Sequence, residues 1–260
     1  MRRCFIFGLG YSAGRIAAAL EARGWEVIST GRAGTLSFDD TANVRLALTG
    51  ADAVLSSVPP SADGDPVLAT YGADIAAHKV VYLSSTGVYG DTGGAWVDET
   101  APTGTGRRTA RAEADASWLE RGARVLRLPG IYGPGRSALD RVREGKAHRI
   151  DLPAQVFSRV HVDDIVSGAV AAFDAPAGAY NLADDEPTSQ NAVIEEACRL
   201  LGLEPPPLQS LDAAGLSPMA RGFYAENRRV ANGKARRVLG WKPRFPNYRE
   251  GLRAILAGEG

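Results

Sequence analysis

The chain has 260 residues, 45% of them hydrophobic and 23% charged, enough for one large core or one core with a smaller appendage. Its 30 basic and 30 acidic side chains cancel, so composition supplies no field to draw a nucleic acid or an anionic membrane surface. The short pairs Arg107-Arg108, Arg228-Arg229 and Arg236-Arg237 read as solvated surface charge. The apolar run after Met1-Arg2-Arg3 stops at Gly8, too short for a signal peptide or a membrane span. Cys4 and Cys198 lie far apart and read as buried thiols in a reducing cytoplasm.

In chain order, Arg3–Phe7 is a short apolar run that predicts a buried parallel strand. A helix follows over residues 12–23, stopped by Gly24, and then a strand over 25–29. A weak strand is expected at 36–38, a helix at 41–48, and a strand at 53–58 closed by Pro59-Pro60. A helix at 66–77, a strand at 80–84, a Gly/Thr/Asp-rich loop at 87–106, a helix at 108–121 and a strand at 124–128 complete the first half. This alternation predicts an α/β Rossmann fold, a doubly wound parallel sheet spanning residues 1–134. Residues 135–260 are expected to form a smaller C-terminal α/β cap, with 158–183 returning to the first domain. Its helices fall at 137–144, 164–173, 189–201, 233–239 and 248–257, with Pro205-Pro206-Pro207 as a stiff connector.

The segment Phe7-Gly8-Leu9-Gly10-Tyr11-Ser12-Ala13-Gly14-Arg15 joins the first strand to the first helix. Gly8 permits a tight turn, Gly10 lets a pyrophosphate approach the backbone, and Ala13 or Gly14 allows close packing of helix on strand. The helix N-terminus adds free N–H groups and about half a positive charge. Strand and helix in the right places make this a nicotinamide-dinucleotide site. The second strand ends Ile28-Ser29-Thr30-Gly31-Arg32, without the Asp or Glu that would take an NAD ribose hydroxyl. Ser29, Thr30 and Arg32, with Arg15 helping, suit a 2′-phosphate, so NADP is favoured over NAD; a solvated Arg32 would remove that preference. Asp39 is either a partner for the adenine amine or a helix N-cap. Ser57, Val58, Pro59 and Ser84 complete the expected cofactor contacts.

Further motifs follow: Leu83-Ser84-Ser85-Thr86-Gly87-Val88-Tyr89-Gly90, Asp98-Glu99-Thr100-Ala101-Pro102, and Arg127-Leu128-Pro129-Gly130-Ile131-Tyr132-Gly133-Pro134-Gly135-Arg136. Val160-His161-Val162-Asp163-Asp164-Ile165, Tyr180-Asn181-Leu182-Ala183-Asp184-Asp185-Glu186-Pro187 and Leu239-Gly240-Trp241-Lys242-Pro243 complete the series. Together they resemble the extended short-chain dehydrogenases, that is the NAD-dependent epimerase/dehydratase family, and most closely its atypical YeeZ-like branch. The resemblance implies a catalytic hydroxyl at Ser85, Pro129 and Gly130 beside the nicotinamide, and Thr86, Tyr89 and Arg136 on the substrate side, with an exposed structural role as the equal alternative for Arg136. The bland alternative for Ser85 is a cap on the strand end. The resemblance also implies a small-molecule, nucleotide-sugar-like substrate and a homodimer paired through helices flanking the site. His161 reads as a buried structural histidine, Asp163 and Asp164 as helix caps, and the Trp241 segment as core.

One part of the family pattern is missing. Its members use a tyrosine as acid/base with a lysine four residues later, on the helix after the Tyr89 loop. Here that region reads Thr105-Gly106-Arg107-Arg108-Thr109-Ala110-Arg111-Ala112-Glu113. The four lysines, Lys79, Lys146, Lys234 and Lys242, follow Ile75, Val142, Val230 and Val238 at that spacing, so no such pair exists in the chain. Losing a positioned proton donor costs roughly 10²–10⁴-fold. The remaining readings are an enzyme with a substitute group (Tyr89, Thr109 or Arg111), chemistry that needs no strong acid/base, or a dinucleotide-binding sensor that has given up turnover.

Overall fold

A computed structural model describes residues 1–107 and 109–258. The first half lays down β1 (Arg3–Phe7), α1 (Tyr11–Glu21), β2 (Glu26–Ser29), α2 (Thr41–Thr49), β3 (Ala53–Ser56) and α3 (Pro66–Tyr71). It continues with β4 (Lys79–Ser85), a 3-10 turn (Thr86–Tyr89), β5 (Trp96–Val97), α4 (Thr109–Glu120) and β6 (Arg124–Leu128). The second half begins with β7 (Gly130–Tyr132), α5 (Ala138–Arg143), β8 (Arg149–Ile150), β9 (Arg159–His161), α6 (Val162–Ala172) and β10 (Gly178–Asn181). It ends with α7 (Gln190–Leu201), β11 (Leu208–Gln209), α8 (Pro218–Phe223), β12 (Arg229–Val230), α9 (Gly233–Val238) and α10 (Tyr248–Ala257).

Six strands make one parallel sheet in the order β10-β6-β4-β3-β1-β2. The chain leaves β1 toward β2 on one side and returns to β3 on the other. That reversal opens a crevice at the carboxyl ends of β1 and β3. Because side chains alternate along each strand, both sheet faces are apolar and both are covered. Ile6, Leu55, Leu83 and Leu126 pack under α1 and α6 with Ile16, Leu20 and Ile165. Phe5, Phe7, Val54, Tyr82 and Val125 pack against Val44, Val67, Tyr71 and Trp118 of α2, α3 and α4. A separate core joins α5, α7 and α10 through Leu139, Ile194, Cys198 and Leu252.

The expected strand at 36–38 is reduced to a single bridge between Thr30 and Leu36. Its apolar residues serve packing instead: Phe38 stands edge-on to Phe7 and Tyr71, and the Tyr71 hydroxyl donates to the Phe38 carbonyl. The helix expected at 66–77 stops at Tyr71, and the strand expected at 53–58 stops at Ser56. The helix expected at 108–121 runs Thr109–Glu120, and Arg108 lies outside the described residues. Cys4 and Cys198 are free and buried, and burial pushes the Cys4 thiol up to about 12. Among the described residues no helix is long and apolar enough to cross a membrane.

Candidate active site

The glycine turn leads from β1 into an uncapped helix end. Gly8 sits at φ +83°, a left-handed conformation that favours glycine. Its N–H donates to Thr30 Oγ1 at 3.2 Å, and Ser57 Oγ donates to its carbonyl. Gly10 precedes α1 with extended backbone; no side chain caps the helix and no acid stands in its first turn. A methyl group built on Gly10 would meet nothing within 4 Å. The positive helix end therefore faces open space, and these residues fit a dinucleotide pyrophosphate. Ala13, not Gly14, makes the close contact with the sheet: Ala13 is buried in the core, whereas a methyl on Gly14 would also meet nothing.

At the end of β2 the three residues expected around a 2′-phosphate separate. Ser29 and Thr30 are buried, and Thr30 is committed to holding Gly8. Arg32 alone is exposed. Arg15 lies 3.9 Å from Asp163 and stacks over the Tyr11 ring at 5.1 Å. The cap of α2 is Asp40, which accepts from the Asn43 N–H at 3.3 Å; Asp39 is exposed beside it.

A cleft of about 960 Å³ opens between the two halves. Of the residues singled out from sequence, Gly10, Tyr11, Ser12, Ala13, Ser57, Ser84, Ser85, Thr86, Arg111, Pro129, Gly130 and Arg136 line it. The second half contributes Arg141, Phe157, Tyr224 and Arg228. Gly8, Gly14, Val58 and Pro59 flank the glycine turn outside that lining, and Thr109 is exposed at the first position of α4. Ser85 ends β4 and caps the 3-10 turn, its Oγ accepting the Gly87 N–H at 3.1 Å. That bond uses a lone pair and leaves the hydroxyl proton free to donate. Arg136 reaches over the Tyr11 ring at 5.7 Å.

Tyr89 is the clear correction. It is 2% exposed, and its hydroxyl donates to Asn181 Oδ1 at 2.8 Å and accepts from Arg127 Nη1 at 2.9 Å. It belongs to a buried polar network beneath the cleft and not to a substrate surface. At the centre of that network Arg127 grips Asp115 at 2.6 Å, the side chains being 4% and 1% exposed. Ser84 Oγ donates to the same carboxylate at 2.6 Å, and Asn181 donates its N–H to Glu99 at 2.7 Å. Asp115 and Arg111 are four apart on α4, hence on one face. The buried carboxylate fixes the helix while the arginine one turn earlier opens on the cleft.

No tyrosine of the chain is tuned like the missing acid/base. All eight tyrosines are shifted up, and burial is the largest cause at each. Tyr82, which faces Arg111, is pushed up to about 12 despite that positive charge. His161 is fully buried and burial lowers it to about 4, so it is neutral. It caps α6 by accepting the Asp163 N–H at 3.2 Å, a role expected of Asp163 and Asp164. Asp164 instead accepts the backbone N–H groups of Arg244 and Phe245, at 2.5 and 3.1 Å, pinning the Trp241 segment.

Sequence reasoning passed over Arg228, read as surface charge, whose side chain is 17% exposed and turned into the cleft. It also passed over Asp115, since a lone aspartate in a polar helix carries no signal that a distant strand supplies its partner.

The crevice at the sheet reversal and the uncapped helix end belong to a doubly wound, Rossmann-like parallel sheet. No protein-family profile matches the chain. It is 40% identical to a conserved protein of unknown function from Silicibacter pomeroyi, with a TM-score of 0.88 over 99% of both chains. Protein YeeZ of Escherichia coli is 29% identical over an alignment of 290 residues, 95% of this chain and 97% of YeeZ. A 3-diazoavenalumate denitrifying reductase from Streptomyces is 37% identical over 171 residues; the match takes in 60% of this chain and spans 55% of that reductase. The fold is also that of a Bacillus anthracis dTDP-glucose 4,6-dehydratase in complex with NAD (TM-score 0.78, 15% identity). A human epimerase family protein, SDR39U1, solved with NADPH, shares it too (TM-score 0.79, 17% identity). The chain belongs to one family with the Silicibacter protein.

Proposed function

We propose that this protein is an NAD(P)-dependent oxidoreductase of the epimerase/dehydratase/reductase kind, with NADP favoured, acting on a hydroxylated, nucleotide-sugar-like small molecule. The observation that carries the reading is that the glycine turn, Ser85 and Arg111 open on one cleft. A bound nicotinamide dinucleotide would supply or accept the hydride there. Ser85 donates its free proton in a hydrogen bond to the substrate oxygen, and Arg111 holds a fixed positive charge nearby. An arginine stays protonated, so it stabilises negative charge on that oxygen without moving a proton. With every tyrosine shifted up, the chemistry suited to this site takes its proton from solvent. The Streptomyces relative, by name a reductase, supports reductive use of the cofactor.

A dinucleotide-responsive sensor is the second reading, favoured by the lost catalytic pair. The two part on one experiment: NADPH and NADH absorbance followed across a panel of sugars, nucleotide sugars, alcohols and ketones, for the native chain and Ser85→Ala. Turnover lost in Ser85→Ala supports the enzyme. Cofactor binding with no turnover across the panel supports the sensor, and binding of neither dinucleotide refutes both.

A further inference from the structure

Arg228 enters the cleft from the second half of the chain. The residue after it begins β12, which pairs with β5 in the register Arg229 to Trp96 and Val230 to Val97. That pairing holds Arg228 over the loop that follows β4. Its Nη1 donates to the Gly90 carbonyl at 2.6 Å and to Glu226 at 3.0 Å. Glu226 is also engaged by Arg107, through its backbone N–H at 3.0 Å and its Nε at 3.3 Å, so one carboxylate answers two arginines. Arg228 Nη2 has no acceptor within hydrogen-bond reach among the described residues.

The space it faces is marked by Gly87. A methyl group built there would stand 3.3 Å from Ser85 Oγ and 4.0 Å from Arg228 Nη2, so hydroxyl and guanidinium flank one small pocket. Arg111 opens on the same cleft from the first half, with no carboxylate within 4.0 Å among the described residues. The Arg228 guanidinium and the Ser85 hydroxyl thus meet at Gly87, and the Arg111 guanidinium lines the same cleft. A neutral sugar hydroxyl would leave those charges poorly compensated, whereas a planar oxyanion matches the guanidinium fork.

We propose that Arg228 forms an anion site at Gly87, completed by Arg111 from the lining of the same cleft, and that the substrate carries a carboxylate next to the carbon that exchanges hydride. This rests on the oxidoreductase reading and narrows its substrate class. Arg228 binds the carboxylate through Nη2, its Nη1 being held by Gly90 and Glu226, and Ser85 takes the neighbouring oxygen.

The test uses the full chain loaded with NADPH and follows nicotinamide fluorescence. The probe is oxamate, a carboxylate beside an unreactive carbonyl carbon, against oxamide, the same skeleton without the charge, and methyl phosphate. Oxamate is expected to give a saturable change and oxamide none. Arg228→Gln should weaken oxamate about tenfold or more, with Arg228→Lys intermediate and NADPH affinity held within about twofold. Equal oxamate binding by native and Arg228→Gln chains, no saturation by oxamate, or oxamide binding as well as oxamate would overturn the proposal. Tighter binding of methyl phosphate than of oxamate overturns the carboxylate assignment in favour of a phosphoryl group. Should Arg228→Gln lose NADPH as well, Arg111→Gln gives the same reading from the other side. Failure of the native chain to bind NADPH sinks the oxidoreductase reading itself, an outcome separate from the others.

Discussion

Removing one side of the Asp115–Arg127 pair tests whether the buried network holds the site. Asp115 accepts from Arg127 at 2.6, 3.1 and 3.2 Å and from Ser84 at 2.6 Å. Asp115→Ala strips all four contacts and leaves a guanidinium, 4% exposed, that keeps the Tyr89 hydroxyl at 2.9 Å as its remaining hydrogen-bond partner among the described residues. An uncompensated buried charge of this kind costs about 3–5 kcal/mol. With an m-value of roughly 3 kcal/mol/M, the urea midpoint then falls by about 1–1.7 M. Replacing both partners by apolar groups, Asp115→Leu with Arg127→Met, removes the charges together and is expected to recover most of that loss. Tryptophan fluorescence reports the transition, since Trp118 sits one turn further along α4 and stacks on Tyr82 with ring centroids 5.1 Å apart. An Asp115→Ala midpoint within about 0.3 M of the native chain would refute the reasoning. So would a double variant no more stable than the single one.

Ser85→Ala is expected to lower turnover about 10²-fold while leaving dinucleotide affinity in place; an equal loss of both would make Ser85 a structural cap alone. Arg32→Ala should reduce the NADP/NAD affinity ratio by about 10–100-fold, read by calorimetry, and an unchanged ratio removes the case for NADP. Burial pushes Asp184 up to about 8, against the pull of the Arg159 guanidinium. The folded chain thus holds a proton there that the unfolded chain releases near 3.8. Bound protons favour the folded state across that window, so this contribution to stability is present at low pH and is lost as pH rises toward about 8. Asp184→Asn should flatten that part of the slope; urea midpoints at several pH values that move identically in both chains would refute it.

The contrast between Ser85 and Tyr89 shows what kind of information each stage holds. Both were legible as candidates because they stand in one short motif after a strand. Their fates diverge because the 3-10 turn leaves Ser85 at the cleft and carries Tyr89 inward to Arg127 and Asn181, residues 38 and 92 positions away. Phe38 tells the same story in the core: apolar residues beside a strand predicted another strand, yet the ring was needed between Phe7 and Tyr71.

By itself the sequence determined the alternation of strands and helices, the glycine turn at Gly8 and Gly10, and the absence of a tyrosine–lysine pair. These are local facts, set by hydrophobic period, by backbone freedom at single residues and by spacing along one helix. Only the tertiary structure decided that Asp115 and Arg127 form a buried pair, that His161 caps α6, and that Arg228 turns into the cleft beside Ser85. Each depends on a partner far along the chain, and burial is a property of the assembled layers that no short window of residues encodes.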